Sequence, residues 1–368
     1  MTDSKIDYRI SLNETNVLKG IAICAMLCHH LFFENPEYGN FTHMLALTGK
    51  VCVALFVFLS GYGMAVQYRT RVVECDQLVQ GEKYCSYLKK MLNRLRFLMR
   101  RFLKFYLNYW FVFLITVPLG VFVFGRTLAS VYGTEFPIWS SLLEDVFGLR
   151  VFGSYNITWW VNRLFLALWL FFPFLYWSLN SKFVSAWMMI LLLFDPGSIL
   201  YPLKFVAFGL SIWILPFAIG IFLAVNGDSI NKILNKMNRY VVLAVFTVAA
   251  LAFLYMRNNY VFSCFLGVKG DPFIVVFLSF AVVCICRLTH RKMSALAFVG
   301  KHSMNMYLMH TFIYAYFFHN FIYGFKYPIL IFAALFSISL LLSMIVEFMK
   351  NRLKFYQFQQ KVCSFLTV

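Results

Sequence analysis

The sequence predicts an all-α fold, a polytopic bundle of transmembrane helices with about ten spans, and three observations support it. Of the 368 residues, 61% are hydrophobic and 13% are charged, whereas a soluble domain is about 25% charged. Apolar runs of span length recur along the whole chain. Most of the 33 Lys and Arg residues lie in alternate segments between these runs, which is the distribution expected of cytoplasmic loops.

Each predicted span is an apolar run close to the roughly 17 to 25 residues that cross a bilayer as a helix. The runs cover residues 16–34, 44–67, 102–125, 157–179, 183–201, 204–225, 240–257, 272–288, 303–324 and 327–349. The longest hydrophilic segment is too short to fold by itself. We therefore expect one integral membrane domain over residues 1–368.

The charge distribution predicts the orientation of the spans. The N-terminal segment 1–15, the basic segment 68–101 and the tail 350–368 are expected on the cytoplasmic side. The acidic segment 34–43 and the segment 127–156 are expected on the opposite side. An even number of spans then places both termini in the cytoplasm.

The formal net charge of +18 is distributed among loops and is not gathered on one soluble face. We therefore expect membrane lipids as partners and no nucleic acid. Cys24 and Cys28, two of the nine cysteines, lie in an apolar segment beside His29. Their spacing is not that of a zinc site, so we expect no metal and interpret these thiols as small packing residues.

The first span contains two adjacent histidines, His29 and His30. Titratable groups are costly in hydrocarbon and persist mainly where they face a protein interior or a wet cavity. Lys19 lies eleven positions before His30, so a helix returns both residues to one stripe, roughly 16 Å apart along its axis. The alternative is that Lys19 only snorkels to the interface and that the histidines bond to neighbouring helices.

His30 is the candidate general base, because a neutral imidazole accepts a proton from a hydroxyl nucleophile near neutral pH. His30 is preferred to His29 as the base because it lies on the same helix face as Lys19. His29 lies about 100° away around the helix. We therefore expect the two histidines to have different roles.

Other polar residues lie in the second and third spans. Ser60 lies with Gly61 and Gly63 among bulky residues, where small side chains admit either a neighbouring helix or a ligand. Arg101 and Lys104 lie one turn apart at the entrance of the third span. Paired cations at this position bind a multiply charged phosphate, or they anchor the topology.

Arg163 is predicted within the membrane, where an unpaired guanidinium is expensive. We therefore expect it to face a cavity or to contact Glu144 or Asp145. Trp160 is interpreted as part of the interfacial aromatic belt or as a platform for a sugar ring.

The ninth predicted span carries Ser303, Asn305 and His310. Ser303 and His310 are seven positions apart and nearly share one helix face. A buried histidine on a stripe with a hydroxyl indicates the wall of a pocket.

Five segments in this order make up a pattern that covers most of the chain. They are LKGIAICAMLCHH at 18–30, VALFVFLSGYG at 53–63, RRFLKFYLNYW at 100–110, WWVNRLFLALWLFFP at 159–173 and GKHSMNMYLMH at 300–310. The pattern resembles the acyltransferase 3 family of integral membrane acyltransferases, which includes polysaccharide and peptidoglycan O-acetyltransferases. The resemblance is to the branch with a double histidine, and it implies a multi-pass protein of the bacterial cytoplasmic (inner) membrane.

The first motif of that family is an Arg or Lys followed by ten residues and a His, which Lys19 and His30 satisfy. The resemblance therefore implies that Lys19 and His30 are the catalytic residues. The third-span motif is two basic residues separated by two others, usually both Arg. Here it is Arg101 and Lys104, and a Lys lacks the bidentate fork of a guanidinium.

The resemblance implies transfer of an acyl group, usually acetyl from acetyl-CoA, to a hydroxyl of a surface or lipid-linked glycan. The phosphates of acetyl-CoA are expected to contact Lys19, Arg101 and Lys104, and Ser60 is a further candidate contact of this co-substrate. His30 would deprotonate the acceptor directly or carry the acetyl group itself.

The candidate acceptor-binding residues are His29, Trp160, Asn162, Arg163, Ser303, Asn305 and His310. Many relatives carry a Glu in the fourth-span segment where this chain has Asn162 and Arg163, so a mechanism that needs that carboxylate is not implied. The rival interpretation is a polysaccharide flippase or transporter without catalytic activity, because a buried charge such as Arg163 marks transport pathways. Broken helices in matching positions would favour it, and the sequence has no convincing pair.

Overall fold

A computed structural model of the chain describes residues 6–73, 83–133, 137–150, 152–194, 210–259 and 270–366. Within these ranges the regular elements are helices, and no strand is present. Seven of the helices are long and apolar enough to cross a membrane, or eight if one bent pair counts as a single span. The prediction of an all-α, multi-pass membrane protein is confirmed, and the described ranges contain fewer spans than predicted.

The helices of the first half are α1 (Leu12–Phe32), α2 (Asn40–Gly49), α3 (Cys52–Tyr68), α4 (Lys83–Phe122), α5 (Leu128–Tyr132), α6 (Ile138–Val146), α7 (Trp160–Asn180) and α8 (Lys182–Phe194). Those of the second half are α9 (Leu210–Val225), α10 (Gly227–Leu234), α11 (Arg239–Asn258), α12 (Asp271–Thr289), α13 (Ser294–Thr311), α14 (His319–Tyr323), α15 (Pro328–Arg352) and α16 (Phe355–Ser364). The bent pair is α9 and α10, which meet at 75°.

The basic segment 68–101 is predicted as a loop, and this prediction is wrong for its second part. It is helical from Lys83 onward and continues into the third span as α4, a helix of 40 residues. Lys, Arg, Leu and Met are strong helix formers, but hydropathy does not distinguish a charged helix from a charged loop. Residues 74–82 lie outside the described ranges.

The predicted second span lies within one candidate membrane span, Asn40–Val73, but its helix is interrupted once. The helices α2 and α3 meet at a break formed by Lys50 and Val51. The backbone N–H of Lys50 bonds to the carbonyl of Leu47 at 3.3 Å, and that of Val51 bonds to Thr48 at 3.2 Å. These tightened i to i−3 bonds place Lys50 at the turn.

The later predicted spans are partly described. Of the predicted span 183–201 the structure describes α8, which is shorter than a membrane span. Of the predicted span 204–225 it describes α9, which reaches span length only together with α10. Residues 195–209 lie outside the described part of the chain. The helix α13 covers the first part of the predicted ninth span, 303–324, and begins nine residues earlier, at Ser294. Because it includes polar residues, it is not among the seven candidate spans.

A capping box fixes the start of α1, the helix that carries Lys19 and the histidines. The backbone N–H of Ser11 donates to the carboxylate of Glu14 at 2.8 Å, and the hydroxyl of Ser11 accepts from the N–H of Glu14. Glu14 is also ion-paired with Arg287 of α12, at 3.3 Å between Oε1 and Nε. A capping box satisfies two donors that the helix would otherwise leave unpaired, and the ion pair ties this end of α1 to α12.

The helices α1 and α13 pack so closely that their backbones touch. A Cβ atom at Gly20 of α1 would collide with the carbonyl of Leu296, and one at Gly300 of α13 would collide with the carbonyl of Asn16. Gly61 allows the same close approach between α3 and α9. Small residues at helix contacts are typical of membrane bundles, and here they bring the polar faces of α1 and α13 together.

The segment between α4 and α7 is organised around Asp145, a buried acid at the end of α6. Its Oδ2 atom accepts from the hydroxyl of Tyr132 at 2.7 Å and from the N–H of Tyr155 at 2.6 Å. Its backbone carbonyl accepts from the hydroxyl of Tyr109 of α4 at 2.5 Å. Burial raises the pKa of Asp145, and the bonds from Tyr132 and Tyr155 oppose this shift by favouring the carboxylate.

Asp145→Ala is expected to destabilise the protein by about 1 to 3 kcal/mol, because it leaves the buried donors of Tyr132 and Tyr155 without an acceptor. Thermal unfolding in detergent, followed by circular dichroism, measures the effect. The matched control is Glu144→Ala, because Glu144 is 51% exposed and pairs with Arg150 at the surface, where an ion pair contributes no more than about 1 kcal/mol. Equal melting temperatures for the two variants would contradict this role of Asp145.

Candidate functional site

A cavity of about 350 Å³ lies between α1, α3, α4, α7, α9 and α13. The candidate residues that line it are Lys19, His29, His30, Ser60, Arg101, Trp160, Asn162 and Ser303. The candidates outside its lining are Lys104, Arg163, Asn305 and His310. Ligand pockets typically have volumes of about 300 to 1,000 Å³, so the cavity has the size of a small binding site.

Lys19 and His30 line this one cavity from the same helix. Eleven residues of helix span roughly 16 Å, so the cation and the imidazole lie near opposite ends of the stretch that α1 contributes. Met26 lies between them on the same wall. The stripe predicted from the helical period therefore faces the interior of the bundle.

His29 also lines the cavity, although it lies on a different side of α1. Its Nδ1 atom lies 2.8 Å from the backbone carbonyl of Ala46 in α2. A carbonyl only accepts hydrogen bonds, so Nδ1 carries a proton and, in a neutral ring, Nε2 is the basic nitrogen. This bond holds α1 to α2 and fixes the orientation of the ring.

The ring of His30 lies between two other histidines. Its centroid is 5.3 Å from that of His29 and 5.0 Å from that of His310. Within the part of the chain that the structure describes, no hydrogen bond to either ring nitrogen of His30 is found. His30 therefore presents a ring to the cavity whose nitrogens are not committed to a neighbouring residue.

His310 lies behind His30 and is fully buried. Its Nδ1 atom donates to the carbonyl of Tyr307 at 2.7 Å, and its Nε2 atom lies 3.3 Å from the hydroxyl of Thr311. That hydroxyl lies 3.0 Å from the hydroxyl of Thr158, just before α7. The network joins the His30 end of α1 to the beginning of α7.

The cations predicted at the entrance of the third span have different surroundings. Arg101 lines the cavity, and its guanidinium lies 5.3 Å from the centroid of the Trp169 ring. The indole N–H of Trp169 donates to the hydroxyl of Ser60 at 3.1 Å, so these three residues form one wall. Lys104 is exposed and lies outside the lining.

The beginning of α7 places Asn162 and Arg163 differently. Asn162 is fully buried and lines the cavity, and neither of its side-chain polar atoms has a hydrogen-bond partner in the described part of the chain. Arg163 donates to the carbonyl of Leu149 at 3.3 Å. Of the two acids considered as its partners, Glu144 is ion-paired with Arg150 and the carboxylate of Asp145 accepts from Tyr132 and Tyr155.

Asn305 lies in a polar cluster outside the cavity lining. Its amide donates to the carboxylate of Glu347 at 2.7 Å, and its oxygen accepts from the ammonium of Lys350 at 3.1 Å. Lys350 is buried and also donates to Asn108 of α4 at 3.0 Å. The cluster joins α4, α13 and α15, and it gives Asn305 structural partners.

Among the lining residues that were not candidates in the sequence, three carry a polar group that bears on the site: Lys50, Thr158 and Tyr307. Tyr307 donates from its hydroxyl to the backbone carbonyl of Thr158, which holds α13 against the start of α7. Lys50 was hidden inside an apolar run that is predicted as one straight helix. A charged residue in the middle of such a run was the available signal.

The comparisons with known proteins agree with the fold. A family model of the acyltransferase 3 family, described as an acyltransferase domain, matches residues 12–348. No curated protein and no solved structure matches the chain. Because the family match covers nearly the whole of this helical, multi-pass chain, the protein belongs to the acyltransferase 3 family of membrane acyltransferases.

Proposed function

We propose that this membrane acyltransferase transfers an acetyl group from acetyl-CoA to a hydroxyl of a surface or lipid-linked glycan. The observation that carries the proposal is that one cavity is lined by two cations, Lys19 and Arg101, and by the uncommitted ring of His30. Cations suit the phosphates of a coenzyme, and an imidazole suits proton transfer at a hydroxyl. Family membership favours this reaction over the transporter interpretation.

In the proposed site, the phosphates of acetyl-CoA bind at one end of the cavity and the acceptor binds at the other. The phosphates of acetyl-CoA bind near Lys19 and Arg101, with exposed Lys104 adding a weaker attraction from outside the lining. The thin pantetheine arm then carries the thioester along the cavity toward His30. Ser60 lies on the wall beside this route, held by Trp169.

The proposed chemistry has two forms. In direct transfer, His30 takes the proton of the acceptor hydroxyl, whose oxygen bonds to the thioester carbon while the carbon–sulfur bond breaks. The proton then passes to the thiolate of CoA. In the relay form, a ring nitrogen of His30 bonds to the thioester carbon while the carbon–sulfur bond breaks and CoA leaves as the thiolate. The acceptor oxygen then bonds to the acetyl carbon, the carbon–nitrogen bond breaks, and the released imidazole takes the proton of the hydroxyl. His29, Trp160, Asn162 and Ser303 line the space that the acceptor would occupy.

The proposed topology places the Lys19 end of α1 toward the cytoplasm, where acetyl-CoA is available, and the His30 end toward the opposite side. It agrees with the basic composition of the N-terminal half of α4, which continues into Arg101. The location proposed with this topology is the bacterial cytoplasmic membrane, which the resemblance to the family implies.

Mass analysis of surface glycans tests the proposal. Cells that express the chain are expected to carry acetylated glycans, and cells that lack it are expected to lose this modification. Identical acetylation in both would contradict the proposed function, and restoration by re-expression serves as the control.

Arg101→Gln is expected to weaken CoA binding by about tenfold or more, because it removes a charge-assisted contact within the cavity. Lys104→Gln is expected to cost no more than about fivefold, because exposed charges are screened. Titration of CoA into the full chain in neutral-lipid nanodiscs measures both affinities. Lys326→Gln, at an exposed position outside the cavity, is the control. A larger loss for Lys104→Gln than for Arg101→Gln would contradict the assignment.

A further inference from the structure

The cavity has a charge imbalance. Three cations, Lys19, Arg101 and Lys50, line it, and none of the described lining residues is acidic. A cation within a membrane protein is expensive unless an anion offsets its charge. The proposed function assigns Lys19 and Arg101 to the phosphates of the coenzyme, and it assigns no anion to Lys50.

Lys50 lies at the His30 end of the cavity. The preceding residue, Gly49, packs so closely on α1 that a Cβ atom there would lie 3.1 Å from the Cβ of His29. The ammonium of Lys50 lies 5.9 Å from the centroid of the Phe33 ring, one turn beyond His29. This ammonium is therefore directed away from Lys19, toward the end of α1 where the acceptor is proposed to bind.

The acid buried in this region is already paired. Asp271 is fully buried and forms an ion pair with Arg257. Across the ranges that the structure describes, no ion pair includes Lys50. Asp271 also attracts Lys50 electrostatically, but its carboxylate is bonded to Arg257, so the ammonium of Lys50 keeps donors for a ligand.

The turn that carries Lys50 is held in place from α11. Arg257 donates to the carbonyl of Leu47 at 2.9 Å, and Asn258 donates to the hydroxyl of Thr48 at 2.6 Å. These bonds fix the residues immediately before the break between α2 and α3. The backbone beside Lys50 therefore needs no ordering when the ammonium binds an anion, which favours affinity.

Asn162 provides a second, independent indication of a ligand. It is a fully buried amide on the cavity wall, and both its oxygen and its nitrogen have no hydrogen-bond partner in the described chain. It lies one turn after Thr158, whose hydroxyl is joined through Thr311 to His310, the ring behind His30. Buried polar groups are nearly always hydrogen-bonded, so this amide is expected to bond to a water molecule or to the hydroxyl of a ligand.

We propose that Lys50 and Asn162 form the acceptor subsite and that the acceptor is an anionic sugar. Its carboxylate or phosphate binds the ammonium of Lys50, and its hydroxyls bond to the amide of Asn162. One hydroxyl is thereby presented to His30. The inference rests on the proposed function for the role of the sugar, but its binding test does not depend on acetyl transfer.

The test measures the binding of three small sugars to the full chain in phosphatidylcholine nanodiscs. Methyl glucuronide carries a carboxylate, glucose 6-phosphate carries a phosphate, and methyl glucoside is neutral. At least one anionic sugar is expected to bind about tenfold or more tightly than the neutral one. Preference for the glucuronide indicates an acidic sugar in the acceptor, and preference for the phosphate indicates a phosphorylated or lipid-phosphate-linked sugar.

Variants of Lys50 and Asn162 distinguish what each residue contributes to sugar binding. Lys50→Met is expected to reduce binding of the preferred anionic sugar about tenfold, to the level of methyl glucoside, while Lys50→Arg retains the preference. Asn162→Leu is expected to weaken all three sugars, because it removes contacts with hydroxyls. Lys326→Met, at an exposed position outside the cavity, is the control. CoA binding is measured on the same samples, and an unchanged CoA affinity shows that a variant is folded. If Lys50→Met does not bind CoA, Lys50→Gln is used in its place.

Equal affinity for the three sugars would overturn the inference, as would no measurable binding of either anionic sugar or unchanged discrimination in Lys50→Met. Intact acetyl transfer with no preference for anionic sugars would contradict this inference alone. A preference for an anionic sugar without any acetyl transfer would contradict the proposed function and would still support the anion subsite.

Discussion

Replacing His30 by alanine is expected to reduce acetyl transfer by about 10²- to 10⁴-fold, the usual contribution of a general base. The ring of His30 lines the cavity between His29 and His310, so its removal deletes the group that accepts the proton of the hydroxyl. CoA binding is expected to persist, because the cations that would hold the phosphates lie at the other end of the cavity. Transfer of labelled acetyl to membrane glycans measures the rate, and CoA titration reports the fold.

Two other histidines provide the comparison. His319→Ala changes an exposed ring outside the cavity and is expected to leave transfer unchanged. His29→Ala removes the bond to the carbonyl of Ala46 and is expected to reduce transfer less than His30→Ala does. Full activity in His30→Ala together with inactivity in His29→Ala would move the role of base to His29.

Gly300→Ala is expected to lower the free energy of unfolding by roughly 3 kcal/mol or more, at the upper end of the cost of overpacking. The added methyl group would collide with the backbone carbonyl of Asn16, and a backbone cannot rotate aside as a side chain can. The helices α1 and α13 must then separate, which displaces Tyr307 and His310 relative to His30. Both the melting temperature in detergent and acetyl transfer are expected to fall.

Gly63→Ala is the matched control, because a Cβ atom at Gly63 meets nothing within 4 Å. Replacing glycine by alanine in a helix interior stabilises it by up to about 1 kcal/mol when space is free. A melting temperature for Gly300→Ala equal to that of Gly63→Ala would contradict the close contact between α1 and α13.

The parts of the site that depend on one helix could be predicted from the sequence. Lys19 and His30 share a stripe because the period of a helix determines which residues of one element face the same way, and both do line the cavity. The all-α, multi-pass class followed from apolar runs in the same local manner.

The parts that depend on contacts between helices could not be predicted. Arg101 and Lys104 are equivalent in the sequence, and only the packing of α4 places the first in the cavity and leaves the second exposed. Ser303 lines the cavity, whereas His310 of the same helix lies behind His30, because α13 is tied to the start of α7. Helical spacing gives the direction of a side chain but not its neighbour.

Lys50 shows a different limit of the sequence. It lies in an apolar run that hydropathy interprets as one helix, and the break at Lys50 is held by Arg257 and Asn258 of α11, more than two hundred positions away. A turn held by such distant residues leaves few local signals, and the charge of Lys50 within the apolar run is one of them. Neither Gly nor Pro occupies the break itself, so the usual signals of a helix end were weak there.

An experimental structure of the full chain in nanodiscs with CoA bound is the most direct measurement. The result expected is a coenzyme whose phosphates contact Lys19 and Arg101 and whose thiol end lies beside the ring of His30, within hydrogen-bond reach or one water molecule of it. Coenzyme bound elsewhere, or a His30 ring that faces lipid, would contradict the proposal that this cavity is where acyl transfer occurs.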